Sequence, residues 1–196
     1  MDKFSFLNAA HTGFIADLYD KYLVNPDTVE PSWRSFFQGY DLANENYSLK
    51  DDDASVEIPE EVHKEFLVVD LINGYRTRGH LFTKTNPVRD RRQYHPTLDI
   101  ENFGLSENDL DKEFSAGDVI GIGKAKLSTI IINLKRIYCE SIGVEYMYMR
   151  NPEKLKWWQT RLNENDNHPK YNTEAKKYIL GKLNQAVTFE NFLQTK

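Results

Sequence analysis

The chain has 196 residues, 40% hydrophobic, 13% aromatic and 28% charged, with a formal net charge of −5 and a pI near 5.6. This balance suits one globular domain plus an appendage and argues against nucleic-acid binding, which needs a basic surface. A mean hydropathy of −0.64 and the lack of a long apolar run exclude a transmembrane helix, and Met1-Asp2-Lys3-Phe4 opens no secretory segment, so the expectation is a cytoplasmic protein.

The first element is a helix. Phe14, Ile15, Leu18, Tyr19, Tyr22 and Leu23 recur at three and four residues and form one apolar stripe. Asn25-Pro26-Asp27 stops it, because the residue before a proline is pushed out of the helical region. Pro31 suits the first turn of a second helix, where its missing N–H costs nothing, and that helix carries Trp33, Phe36 and Phe37. Residues 1–40 therefore read either as a small helical subdomain of their own or as a helix-turn-helix arm meant for another protein.

From 41 to 61 the chemistry changes. Asp41, Glu45, Asp51, Asp52, Asp53, Glu57, Glu60 and Glu61 stand against a single Lys50. Like charges at this density repel and extend the chain, so the expectation is an acidic flexible linker, with a solvated loop of one compact domain as the alternative.

Residues 62–196 are expected to form an irregular multi-helix domain with long loops, giving a mostly α fold. Val62, Phe66, Val69 and Ile72 start a helix that Gly79 could close in the left-handed conformation. Residues 80–105 look irregular, punctuated by Asn86-Pro87, His95-Pro96 and Gly104, with Arg89, Arg91 and Arg92 clustered. Ser106-Glu107-Asn108-Asp109 resembles a capping box. Leu127, Ile130, Ile131, Leu134, Ile137 and Tyr138 give the clearest helical stripe. Residues 144–149 have strand-like composition but are too short to assign. Asn151-Pro152 starts a helix with Trp157, Trp158 and Leu162, and Asn172 or Thr173 caps a last one through Ile179, Leu180, Leu183 and Val187. No internal repeat is apparent.

No catalytic constellation emerges from the residues. "GDVIGIGKAK" at 117–126 invites a phosphate-loop reading, but Asp118 stands where a Walker loop needs glycine and Ala125 where it needs serine or threonine. Lys126 replaces the third glycine of a dinucleotide fingerprint. The five histidines His11, His63, His80, His95 and His168 show no ligand spacing, and Cys139 is the lone cysteine. A disulfide within the chain is thus impossible, a metal site is not expected, and Cys139 reads as a buried structural thiol. Arg76, Arg78 and His80 could hold an anion. The favoured reading makes them cations at a helix C-terminus that buttress a neighbouring domain, joined by Arg91 from the irregular loop. Trp157-Trp158 reads as a core and rim pair.

Five segments in register carry a resemblance: "IADLYDKYLVNPDTVEPSWRSFF", "LINGYRTRGHLFTKTNPV", "HPTLDIENFGLSENDLDKEF", "IYCESIGVEYMYM" and "KKYILGKLNQAVTFENFLQTK". Together they resemble the N-terminal region of the first, decarboxylating component of the 2-oxoglutarate dehydrogenase complex, over nearly the whole chain apart from the acidic stretch. The resemblance implies a parent enzyme of the tricarboxylic acid cycle that decarboxylates 2-oxoglutarate on thiamine diphosphate and Mg²⁺. That parent, expected to be a homodimer, passes the succinyl group to lipoyl arms of a dihydrolipoyl succinyltransferase core. The family's Gly-Asp-Gly motif with its later paired asparagines has no counterpart here. The expectation is therefore a fragment ending before the catalytic part, inactive alone, with no cofactor of its own. In it Phe14, Ile15, Leu18, Tyr19, Tyr22, Leu23, Trp33, Phe36 and Phe37 tether the acyltransferase core, and residues 62–196 pack on the catalytic domains. The alternative is a stand-alone, non-catalytic binding protein that bridges or regulates the complex.

Overall fold

The computed structural model describes residues 12–45, 59–86, 88, 92 and 94–195. It is mostly α-helical. Helix α1 (Thr12–Val24) and helix α2 (Pro31–Glu45) are joined by a 3-10 turn at Pro26–Thr28, which Asn25 caps by accepting the Asp27 N–H. Helix α3 (Glu60–Arg78) runs on through a 3-10 turn at Gly79–Phe82, and irregular chain leads to 3-10 turns at Ile100–Phe103, Glu107–Asp109 and Ser115–Ile120. Strands β1 (Glu113–Phe114) and β2 (Ala125–Lys126) form a two-residue antiparallel pair that delivers the chain to α4 (Leu127–Tyr138). Helices α5 (Pro152–Glu164) and α6 (Thr173–Gln194) follow, capped by the side chains of Asn151 and Asn172.

The core is built on α3. Val62, Phe66, Val68, Leu71 and Ile72 are fully buried and share one core with Leu127, Ile130 and Leu134 of α4. Tyr146 from the strand-like stretch is buried too, its hydroxyl 3.2 Å from that of Tyr138, but residues 144–149 form no strand. A lone six-residue run has no neighbouring strand to complete its hydrogen bonds.

Two expectations need correction. Helix α2 continues to Glu45 and α3 begins at Glu60, so both ends of the expected linker are helical; residues 46–58 lie outside the described residues. Asp41 is held by the Tyr19 hydroxyl, which donates to its Oδ1 at 2.6 Å, and this bond, ahead of burial, raises the phenol pKa to about 12. Gly79 is right-handed (φ −55°, ψ −37°), and its lack of a side chain serves packing: a Cβ there would lie 2.5 Å from that of Tyr138.

The glycine-rich segment 117–126 is the 3-10 turn and tight reversal between β1 and β2, with Gly121 and Gly123 at positive φ. The capping box at Ser106 is present, with Asp109 exchanging hydrogen bonds with the Ser106 backbone and hydroxyl.

Candidate docking surfaces

The arm packs face-inward. Trp33 is 0% and Phe37 1% exposed, and Phe14, Leu18 and Tyr22 are also buried. Trp33 is the hub: its ring lies 5.8 Å from Phe14 edge-on, 5.5 Å from Phe37 in a stack, and 5.5 Å from Phe66 of α3 at 87°. Edge-to-face and offset contacts at these distances are the favoured geometries of aromatic pairs. Five of the nine expected partner residues (Phe14, Leu18, Tyr22, Trp33 and Phe37) thus stabilise the chain's own core. As free anchors they would have to leave it. The physical reason is that Phe66 and its neighbours on α3 offer the apolar cover that the arm requires.

Two ion pairs clip the arm to the 3-10 and β1–β2 region. Lys21 Nζ lies 2.9 Å from Asp118 Oδ2, and Lys124 meets Glu30. Such half-exposed pairs fix position more than they stabilise.

Part of the arm's outer side remains apolar, among exposed polar residues such as Asp20 and Gln38. Ile15, Tyr19 and Phe36 are half-buried, Leu23 is 60% exposed, and Val24 (87%) and Tyr40 (52%), which were not among the expected residues, are open to solvent. Tyr40 stands edge-on to Tyr19 at 5.7 Å, and Leu23 is one helical turn beyond Tyr19, so the three share one outward patch. Their signal was in the sequence: an aromatic face on α1 and α2 too wide for one buried stripe.

Arg76, Arg78 and His80 do not converge on an open anion site. Arg76 is buried and donates to the Val119 carbonyl oxygen at 2.9 Å. Arg78 lies 5.7 Å over the Phe103 ring, and the His80 carbonyl oxygen accepts from Thr83 Oγ1. The contacts of Arg76 and Arg78 tie α3 to the segment that follows it. Arg91 lies outside the described residues. Cys139 is half-buried, and burial pushes its thiol up to about 11, which leaves it inert at neutral pH.

Two buried carboxylates escaped sequence reasoning as polar hubs. Glu65 is 3% exposed; its oxygens accept the backbone N–H groups of Ser115 and Ala116 at 2.7 and 2.9 Å. Burial raises it to about 7, against the opposing effect of those two bonds. Its signal was an acid inside the apolar stripe of α3. Asp109 accepts from Lys64 and Lys112 at 2.8 Å; burial opposes its ionisation, but the lysines and Ser106 outweigh it and hold the carboxyl well below its usual range.

Among the described residues no group of three or more His, Cys, Asp or Glu is placed to hold a metal ion, and no helix is long and apolar enough to cross a membrane. A wide cleft between α4 and residues 81–99 is lined by Lys84, Arg92, Lys135 and Arg136 but also by Asp99 and Glu140, with no convergent set.

Residues 4–44 match the family described as the 2-oxoglutarate dehydrogenase N-terminus. Over 98% of its length the chain is 30% identical to a 2-oxoglutarate dehydrogenase E1 component of Cupriavidus necator, and over 99% it is 30% identical to that of Coxiella burnetii. It is also 43% identical, over 68% of its length, to a multifunctional 2-oxoglutarate metabolism enzyme of Mycolicibacterium vanbaalenii. The chain spans only 23%, 22% and 11% of these three relatives, respectively. The chain is an N-terminal region of the 2-oxoglutarate dehydrogenase E1 family, and its arm is the part that carries the family's N-terminal signature.

Proposed function

We propose that this chain is the non-catalytic docking and scaffolding region of a cytoplasmic, homodimeric 2-oxoglutarate dehydrogenase E1. The whole enzyme would decarboxylate 2-oxoglutarate with thiamine diphosphate and Mg²⁺ and pass the succinyl group to lipoyl arms of a succinyltransferase core. The residues present do not fit that cofactor: the described residues gather no acidic or imidazole cluster, and the sequence has no Gly-Asp-Gly with paired asparagines. On this reading the chemistry would belong to the rest of the enzyme, and this region would contribute position.

The observation that carries the docking role is the outward apolar patch on the family-matched arm, formed by Tyr19, Leu23 and Tyr40. With the inner face committed to α3, the outer face is what the acyltransferase core would meet, with Ile15 and Phe36 at its border. Such half-exposed aromatic and aliphatic groups are the usual anchors of helix-mediated contacts. The loop at 80–105, with Arg78 and His80 at its base, would border the catalytic domains.

The test is calorimetric titration of the intact chain into the succinyltransferase core. Leu23→Asp with Tyr40→Ala is expected to weaken binding by about 2–4 kcal/mol while leaving the melting temperature unchanged. Deleting the whole arm would be a poorer test, since it also strips the cover from Phe66. Unchanged affinity in the double variant would remove the outer face from the contact.

A further inference from the structure

Helix α6 is apolar without being covered. From Lys176 to Thr195 every residue is exposed and the helix buries none of its side chains. Tyr178 is 67%, Leu180 67%, Leu183 59%, Val187 54%, Phe189 61%, Phe192 54% and Leu193 56% exposed. At about 100° per residue these side chains, with Ile179, spread over about 240° of the helix circumference. Only the sector of Lys177, Gly181, Asn184, Thr188 and Asn191 is free of large apolar groups.

That width decides between occupants. Two copies of α6 pairing along a seam would each cover a strip of about 100° and leave most of the rest wet. A helix with large apolar side chains spread round most of its circumference, here with Lys176, Lys182 and Glu190 set between them, suits insertion among several elements of a larger core better than a single seam. We infer that α6 is a docking helix for the portion of the E1 polypeptide that follows the matched region, whose relatives are more than four times longer than the part matched here. This rests on the E1 reading above. It sets α6 beside the loop at 80–105 as a second interdomain contact.

The test is backbone hydrogen exchange over residues 173–195, in the 196-residue chain and in the polypeptide translated from the same reading frame beyond Lys196. The α6 amides are expected to exchange at least ~100-fold more slowly in the longer polypeptide. Leu183→Asp with Phe189→Asp should restore fast exchange there. Binding of the succinyltransferase core through the arm should be unaffected by that pair, which separates this inference from the docking role. Three results would overturn it: equally fast α6 exchange in both polypeptides, concentration-dependent protection in the short chain alone (a second copy as occupant), or a reading frame that stops at Lys196.

Discussion

Glu65 shows what a single buried charge does to this fold. It occupies a place in the apolar stripe of α3, between Val62 and Phe66, and spends both oxygens on the backbone N–H groups that start the 3-10 turn at Ser115. Burial raises its pKa from 4.5 to about 7, with nearby Glu30 adding to the rise and Lys124 and the two N–H bonds resisting it. Between those values the folded chain keeps a proton that the unfolded chain releases. The stabilisation is therefore complete below the unfolded value and is lost as pH rises through 7, by at most about 3 kcal/mol. Asp109 works the other way, since its lowered pKa supplies stability above its unfolded value that disappears only in acid. Urea unfolding at pH 5 and pH 8 should thus show the wild type weaker at pH 8. In Glu65→Gln that difference should shrink, even though the amide satisfies one N–H fewer and lowers stability at both pH values. An unchanged pH difference in the variant would assign the slope to another group.

At the scale of elements, legibility followed periodicity. The stripe at Leu127–Tyr138 and the caps at Asn151 and Asn172 marked α4, α5 and α6 because a 3.6-residue period and a side-chain acceptor before it are local properties. Of the 3-10 turns between Gly79 and Ile120 only Glu107–Asp109, announced by its capping box, was legible, since pieces of three to six residues leave little apolar period. Gly79 was misread for a related reason. A glycine at a helix end signals either a left-handed cap or a close approach, and only the fold shows that Tyr138 of α4 stands against it. The two roles separate in substitution. At a left-handed cap, asparagine is better tolerated than alanine. At this crossing any Cβ collides, so Gly79→Ala and Gly79→Asn should both cost about 1–3 kcal/mol in chemical unfolding. Clear recovery in the asparagine variant would restore the cap reading.

For the whole molecule the decisive question was what the arm's apolar face covers. A stripe of Phe14, Leu18, Tyr22, Trp33 and Phe37 announces that a face is buried, but looks the same whether the cover is a partner or the chain's own α3. The acidic run at 41–61 tipped the reading toward a detached arm, because charge density is visible in sequence and the Trp33–Phe66 contact, made across that run, is not. The same blindness applies in reverse to α6, whose apolar residues predict a covered helix that nothing among the described residues covers. The arm's membership of the core has a thermodynamic signature. Trp33→Ala removes a fully buried indole from between α1, α2 and α3, and such truncations cost about 3–5 kcal/mol. Domains of this size hold only about 5–15 kcal/mol in total, so the loss should be plain in the urea midpoint. It should also be global: amides of α3 and α4 should exchange faster along with those of α1, because Phe66 loses its neighbour when the arm loosens. Faster exchange confined to residues 12–45, with α3 and α4 as protected as before, would mean that the arm unfolds on its own and that its inner face is free to serve a partner after all.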